Sequence, residues 1–272
     1  MLMIPFNTKI ALILGHPGHE LRIFRFLELY KPRVYIFTDG SGSSGHSRVH
    51  NTLKIIHQAG ATASPVMGRF TDVQFYEILM QQDKDTLAGL MEEIMADMKM
   101  HQIDTLAGDA AEGFNPTHDL CRYMINALAG MYRKDTGKFI PNYEFLLEGS
   151  PAECPTKMTG EVVRIQLTDE EFGRKRAAAY HYPELQAEIE KVYAAYGATP
   201  FMTEYLWPSG PPDEYKTWTT EEPYYETWGK RKLESGTYKE LIAFHTHLLP
   251  LAEFLNNYSL THAGTNNEYL AG

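Results

Sequence analysis

The sequence predicts an α/β fold with a mainly parallel β-sheet and helices on both of its faces. Short, continuous apolar runs such as Ile10–Leu14 are typical of strands that are buried on both faces. These runs alternate along the chain with segments whose apolar residues recur at helical spacing. Glycine-containing turns follow the ends of the first two runs, as they do where a strand leads into a helix.

The first 66 residues carry the clearest alternation of strands and helices. A strand over Ile10–Leu14 ends at Gly15, and a helix over residues 20–30 is stopped by Lys31 and Pro32. The sequence then predicts a strand over 33–38, a helix over 50–58 that ends before Gly60, and a strand over 61–66.

The later segments are predicted from the same periodicities. Thr168, with Glu171 three residues later, forms a capping box that starts a helix. We expect one large domain, with an α/β core over residues 1–195 and a C-terminal loop and helix over 196–272 that wrap it. The remaining predictions are one or two helices over 71–101 that break near Asp83, strands over 103–107, 139–147 and 161–167, a helix over 118–132, a long surface loop over 201–225, and a closing helix over 233–255 interrupted by Pro250.

Composition narrows the classes of partner. The chain has 272 residues and a formal net charge of −10, which disfavours nucleic acid and anionic membranes as partners. Two cysteines, Cys121 and Cys154, are too few for a disulfide scaffold and indicate a reducing compartment. The first residues contain no apolar run long enough for a signal peptide or a membrane span. The sequence therefore predicts a cytoplasmic protein that acts on a small molecule.

Two histidines directly follow the first predicted strand. His16 and His19 are three residues apart, and taken alone they are equally compatible with unrelated loop histidines. Catalytic zinc sites use three protein ligands plus water, and His118 offers a third imidazole after another predicted strand. The carboxyl ends of parallel strands meet at one edge of the sheet, where ligands bind. We therefore predict one divalent ion, zinc or another metal, on these three histidines.

The ordered motifs resemble those of the LmbE/PIG-L superfamily of zinc-dependent N-acetylglucosaminyl deacetylases. The family's His-Pro-Asp-Asp-Glu corresponds to His-Pro-Gly-His-Glu at residues 16–20, and its His-Pro-Asp-His corresponds to Asn-Pro-Thr-His at 115–118. The resemblance covers roughly residues 9–190 and implies a Rossmann-like fold and a zinc ion on His16, His19 and His118. Other matching positions are Thr38 to Gly40, Arg48 twelve residues before Gly60, and Arg174, Ala177 and His181.

Two departures from the family pattern affect the chemistry. Gly18 replaces the family's general base, and Asn115 replaces a histidine that assists the reaction. Hydrolysis of an amide needs a group that takes and delivers protons. We expect a replacement carboxylate, either Glu112 or Asp109, to enter the space that Gly18 leaves beside the metal. Three further acids have candidate roles that ordinary structural roles explain equally well: Asp39 and Glu20 as bases, and Asp119 as a partner of a ligand histidine.

The predicted substrate-binding residues are Arg48, Asn115 and His181. A guanidinium can clamp a hydroxyl, carboxylate or phosphate, but a surface role explains Arg48 equally well. Aromatic side chains of the C-terminal segment could stack on a sugar ring or anchor a loop: Tyr205, Trp207, Trp218, Tyr224, Tyr225 and Trp228.

Three functions follow from these residues. The first is a metal-dependent hydrolase that removes an acyl group, acetyl above all, from an amino sugar or related conjugate. The second is a non-catalytic, metal-containing protein that binds carbohydrate or metabolite, for which Gly18 and Asn115 are the evidence. A nucleotide-binding transferase ranks last, because the chain has no dinucleotide fingerprint.

Overall fold

A computed structural model describes residues 4–153 and 162–261 of the chain. The strands in these residues are β1 (Ile10–Leu14), β2 (Arg33–Thr38), β3 (Thr62–Phe70), β4 (Thr105–Asp109), β5 (Asn142–Phe145), β6 (Val163–Gln166) and β7 (Thr203–Pro208). They form one seven-stranded sheet in the order β3-β2-β1-β4-β5-β7-β6.

The sheet is mainly parallel, as the sequence predicts. The five strands from β3 to β5 pair in parallel, while β7 runs antiparallel to both β5 and β6. β1 is the middle one of these five strands and lies between β2 and β4. The segment that follows β1 therefore emerges in the middle of the carboxyl edge of the sheet, next to the segment that follows β4.

Helices cover both faces of the sheet. Alternate residues of β1 point to opposite faces, so that Ala11 and Ile13 join one apolar cluster and Leu12 and Leu14 the other. The first cluster includes residues of α3 (Asp72–Gln81), α4 (Lys84–Met100), α5 (Pro116–Thr136), α8 (Tyr224–Glu234) and α9 (Leu249–Thr261). The second includes α1 (Phe24–Tyr30), α2 (Val49–Ala59), α6 (Asp169–Tyr180) and, at its edge, α7 (Gln186–Tyr196). The α/β fold class is confirmed.

Local sequence signals place several helix ends correctly. Asp83 caps α4 by accepting a hydrogen bond from the amide of Thr86, which explains the break after α3. Thr168 and Glu171 form the predicted capping box at the start of α6. The segment after β1 differs slightly from the prediction, because a 3₁₀ turn over His19–Ile23 precedes α1.

The C-terminal predictions were partly wrong. Residues 201–225 are not one surface loop, because Thr203–Pro208 is the strand β7, which lies between β5 and β6. The closing helix is two separate helices, α8 and α9, with a π-helical turn over Phe244–Leu248 before the second. Pro250 does not interrupt α9 but lies in its first turn, where a missing amide hydrogen costs nothing. Of the predicted strand over 161–167, only Glu161 lies outside the described residues.

β7 also fixes the start of α1. Glu204 accepts hydrogen bonds from the amides of Arg25 and Phe26, at 2.9 and 2.8 Å, so it satisfies donors that a helix leaves free in its first turn. Lys175 pairs with the same carboxylate at 2.9 Å and donates to the carbonyl of Arg22. Both charges are almost fully buried. The strand nearest the C-terminus therefore positions the helix that follows the first two histidines.

Two further findings concern single features. No helix within the described residues is long and apolar enough to cross a membrane. Cys121 is buried and pairs with no cysteine among the described residues, which do not include Cys154.

The close packing of β4 predicts a contrast between two glycines. A Cβ at Gly108 would lie 2.1 Å from the carbonyl oxygen of Ile13 and 2.5 Å from Ile125. Gly108→Ala should therefore lower the free energy of unfolding by about 1–3 kcal/mol, the usual cost of overpacking. Gly89, inside α4, has open space around it, so Gly89→Ala should raise stability by about 0.5–1 kcal/mol. Urea denaturation measures both, and equal effects would contradict the packing at Gly108.

Candidate metal centre

The structure brings His16, His19 and His118 together at the carboxyl edge of the sheet. The first two lie in the segment after β1, and His118 lies in the first turn of α5, after β4. The three rings meet edge to face, with centroid separations of 5.4 Å for His16 and His19, 5.1 Å for His16 and His118, and 4.5 Å for His19 and His118. His16 and His118 are buried, and His19 is partly exposed.

These separations suit three imidazoles on one ion. A nitrogen ligand lies about 2.0–2.1 Å from zinc and the ring centre about 1.1 Å beyond it, so two imidazoles on a tetrahedral ion have centres about 5.2 Å apart. The observed values of 4.5–5.4 Å lie around this distance. Three unlinked side chains from two parts of the chain therefore have the spacing that a shared ion requires.

His16 is oriented by two polar side chains behind it. Its Nδ1 lies 2.6 Å from the Thr38 hydroxyl and 3.1 Å from Asp72 Oδ1. Burial lowers the pKa of His16 and so favours the neutral ring, although the hydrogen bond with Asp72 opposes this shift. A neutral ring that donates from Nδ1 has its lone pair on Nε2, and this nitrogen is buried without a hydrogen-bond partner in the described structure.

His19 is oriented by the carboxylate of Asp109. Its Nδ1 lies 2.9 Å from Asp109 Oδ2, and the same oxygen accepts a hydrogen bond from the amide of Gly15 at 2.7 Å. Asp109 is completely buried. The carboxylate lies behind the ring, opposite Nε2, so the geometry favours a positioning role over the base role predicted for it.

His118 presents a second buried nitrogen without a partner. Its Nδ1 makes no hydrogen bond to the described residues. Burial, together with the neighbouring His19 and His16, lowers its pKa well below the ordinary value, so the ring is neutral at physiological pH. Leaving a buried polar atom unsatisfied costs about 1–3 kcal/mol, which makes a ligand at this position favourable.

The donor set fits a divalent ion by its chemistry and spacing. Among residues 4–153 and 162–261, no group of three or more His, Cys, Asp or Glu side chains has the arrangement of a formed metal site. Coordination would therefore require the imidazoles to turn toward a common point. Two features are common in metal-binding histidines: the buried nitrogens of His16 and His118 without a partner among the described residues, and the carboxylates behind His16 and His19.

The space expected beside Gly18 is filled, which corrects the prediction made from its small size. Gly18 has a φ of +106°, a conformation that favours glycine. A Cβ at this position would lie 2.4 Å from Leu185 Cδ1. No second carboxylate can enter through this space, because Leu185 occupies it.

Asn115 and Glu112 have well-defined structural partners. The Asn115 side chain caps α5 by accepting a hydrogen bond from the amide of Thr117 at 2.8 Å. Glu112 accepts from the amides of Leu147 and Glu148, at 2.6 and 3.2 Å. Burial raises the pKa of Glu112 to about 7. No hydrogen bond within the described structure links Glu112 to the three histidines, and its base role stays a prediction.

The other candidate acids have structural contacts. Asp39 accepts from the amide of Ser41 and so stabilises the glycine-rich turn. Glu20 is fully buried and accepts from the Gly18 amide and the Thr52 hydroxyl. Asp119 accepts from the amide of Gly113.

Two of the predicted substrate contacts, Arg48 and His181, differ in burial, since Arg48 is partly buried and His181 is exposed. Arg48 Nε donates to the carbonyl of Gly40, and a Cβ at Gly40 would touch both Arg48 and Pro17, so this guanidinium lies beside the first histidine segment. His181 is exposed at the end of α6, and the neighbouring Tyr182 is the side chain that points inward, toward Thr52. The role of His181 in substrate binding stays a prediction.

Sequence reasoning missed two acids near the histidines. Asp72, the first residue of α3, pairs with His16. Burial alone would raise the pKa of Asp72, but its hydrogen bond with His16 holds it below the usual range. Glu148 follows β5, and although burial raises its pKa, charges on Arg22 and His19 oppose the shift. The rule that ligands gather beyond the carboxyl ends of parallel strands could have identified Glu148, since β5 is parallel to β4.

The chain is structurally similar to deacetylases, the class of enzyme that the motif resemblance names. The A40926 pseudoaglycone deacetylase is 17% identical, with a TM-score of 0.49 over 74% of this chain and 96% of that chain. A triple mutant of a deacetylase of the teicoplanin biosynthetic pathway is 13% identical, with a TM-score of 0.47 over 74% and 97%. A zinc-inhibited form of teicoplanin deacetylase is 12% identical, with a TM-score of 0.48 over 73% and 97%.

No protein-family model matches the chain, and no curated protein matches it either. Structural similarity at this level concerns the fold, whereas the chemistry depends on the side chains of the site.

The contact at Gly18 predicts a specific loss of stability. Gly18→Ala should lower the free energy of unfolding by on the order of 1–3 kcal/mol, because a non-glycine residue is strained at this φ and the methyl group meets Leu185. Gly45 is the matched control, since its φ of 69° carries the same type of strain but nothing lies within 4 Å of its Cβ position. Gly45→Ala should therefore cost less.

A double-mutant cycle separates the two causes. Leu185→Ala should remove the steric part of the Gly18→Ala effect, so the two losses should not add. Strictly additive losses in urea denaturation would show that Leu185 does not occupy the space beside Gly18.

Proposed function

We propose that this chain is a divalent-metal-dependent hydrolase that removes an acyl group, acetyl above all, from an amino sugar or a related conjugate. The observation that carries the proposal is the cluster of three imidazoles, in which two buried nitrogens, His16 Nε2 and His118 Nδ1, have no hydrogen-bond partner among the described residues. The reaction is inferred from the resemblance of the motifs to those of zinc-dependent deacetylases. We further propose a cytoplasmic location and a small-molecule substrate, as expected for an acidic chain with few cysteines.

In this proposal His16, His19 and His118 hold the ion. A divalent ion at this position supplies Lewis acidity, which activates water and polarises a carbonyl group. Three histidine ligands leave a position open to water and substrate, whereas structural zinc sites are closed by four protein ligands. A site with this donor set is therefore better suited to catalysis than to structural support.

Asp72 and Asp109 are positioning residues in this scheme. Asp72 accepts a hydrogen bond from Nδ1 of His16, and Asp109 accepts one from Nδ1 of His19. Each carboxylate so keeps the lone pair of its histidine ring on Nε2. The amide of Gly15 holds Asp109 in place at 2.7 Å. Because both carboxylates are buried, neither is free to rotate away from its ring.

Glu112 is the proposed general base. A base works best when its pKa is close to the operating pH, and burial raises the pKa of Glu112 to about 7. Its contacts with the amides of Leu147 and Glu148 fix its carboxylate on the loop after β5. Arg48, beside Pro17, and Asn115 are proposed to contact substrate hydroxyl or carbonyl groups, and His181 has the same proposed role from α6.

A non-catalytic carbohydrate- or metabolite-binding protein is the second candidate. Two observations favour it: Leu185 fills the space beside Gly18, and the Asn115 side chain caps a helix. A chain that kept the metal ligands but lost the groups that transfer protons would have these features. The two functions differ in whether amine is released from a bound N-acyl sugar.

The metal proposal predicts one divalent ion per chain and its loss in a ligand variant. His118→Ala should abolish metal retention after dialysis, because two imidazoles hold zinc weakly. Asp109→Asn should weaken metal affinity by about 10- to 100-fold, as removal of a supporting carboxylate commonly does. Elemental analysis and metal titration measure both effects, with the exposed His57 replaced by alanine as the control. Equal metal content in wild type and His118→Ala would rule out this site.

The catalytic proposal predicts amine release from N-acetyl sugars that depends on Glu112 and on pH. Glu112→Gln should keep the metal and lower kcat by a factor on the order of 10² to 10⁴, the usual contribution of a general base. In wild type, kcat should rise as the pH passes through about 7, because the base must be deprotonated, and Glu112→Gln should lose this step.

Two results would contradict parts of this scheme. If Glu112→Gln hydrolyses as fast as wild type, then Glu112 is not the base. If fully metallated wild type binds N-acyl sugars and releases no amine from any of them, the binding protein is the correct assignment.

A further inference from the structure

Three aromatic rings form a stacked row that begins in the loop before His118. Phe114 and Tyr224 are parallel within 7° at a centroid distance of 5.0 Å, and Tyr224 and Trp228 follow at 6.4 Å and 23°. We call these three residues the aromatic column. Lys232 Nζ lies 4.6 Å from the Trp228 ring centre and covers that end of the column. The other end of the column is Phe114, and we call it the open end because this side chain is 41% exposed.

Phe114 belongs to the loop that carries the third histidine. It lies four residues before His118 and directly before the helix cap Asn115. The loop is held at the preceding residue, Gly113, whose amide donates to Asp119 Oδ1 at 3.0 Å and whose carbonyl accepts from the Tyr225 amide at 3.1 Å. This hydrogen bonding fixes the position of Phe114 relative to the histidine.

The three side chains of the column are more exposed than aromatic residues that only attach a helix to the body of the protein. Phe114, Tyr224 and Trp228 are 41%, 45% and 41% exposed. The neighbouring Tyr225 is 6% exposed and belongs to the first apolar cluster. It already attaches α8 to the body of the protein. The outward-facing rings are thus available to a ligand without loss of the contacts that hold the helix.

We propose that the open end of the aromatic column binds the apolar face of a second ring on the substrate, either a further pyranose or an aryl group linked to the reacting amino sugar. The inference rests on the proposed hydrolase function, because it assigns the non-reacting part of that substrate. A flat ring placed on Phe114 would continue the stack, and such stacking is favourable for any ring with an apolar face.

The kinetic test compares the methyl and phenyl β-glycosides of N-acetylglucosamine and its β-1,4-linked disaccharide. Wild type should prefer the phenyl glycoside or the disaccharide to the methyl glycoside in kcat/KM. Phe114→Ala should reduce this preference by a factor on the order of 3 to 10, mainly through KM, since stacking binds ground state and transition state alike. Phe114→Trp should retain it. Phe139→Ala is the control, because Phe139 is 77% exposed and precedes β5 at the opposite edge of the sheet.

A binding test separates this proposal from the hydrolase function. Saturation-transfer NMR with the same three compounds and metallated full-length protein should show saturation of the phenyl protons, or of the second sugar, in wild type and Phe139→Ala but not in Phe114→Ala. If this pattern is found while no amine is released, the column is a binding site and the hydrolase function fails. If saturation and substrate preference are the same in wild type and Phe114→Ala, the proposal is wrong.

Discussion

The carboxylate of Asp109 joins the parts of the chain from which the candidate site is built. It lies at the end of β4, accepts the amide of Gly15 at the end of β1, and accepts Nδ1 of His19 through the same oxygen. The fully buried Arg122 of α5 donates to the backbone carbonyl of Asp109, one turn after His118. Apart from the partly exposed His19 ring, these groups are buried, so solvent competes little for their hydrogen bonds. The geometry of His19 and His118 depends on these bonds.

The candidate site has walls from distant parts of the sequence. Leu185, between α6 and α7, fills the space beside Gly18 on one side. On the other side, Trp218 packs on Gly113, where a Cβ would lie 2.5 Å from its ring. The N-terminal part of the chain therefore does not form the surroundings of the histidines by itself. The C-terminal segment, which includes β7 within the sheet, contributes directly to the surroundings of the site.

The parts of this structure that the sequence predicts are those governed by local periodicity and by chain direction. Alternation of apolar runs and helices predicts a parallel sheet, and parallel strands bring His16 and His118 to one edge. The strand β7 was missed, because Pro208 and the surrounding aromatic residues resemble a loop and only antiparallel pairing with β5 and β6 defines it. The partners of the histidines, such as Asp72, were missed for the same reason, since they are set by packing between elements.

Glu204 has a consequence for the order in which the molecule assembles during its synthesis. It satisfies the first amides of α1 across a separation of 178 residues in the chain. When the ribosome has made the first strands and both early histidines, these amides still lack their partner, and Lys175 lacks the same partner when it is made. Contacts that span such separations form late and slowly. The histidine segment after β1 therefore lacks these contacts until Glu204 has been made, and until then its histidines lie on an incomplete scaffold.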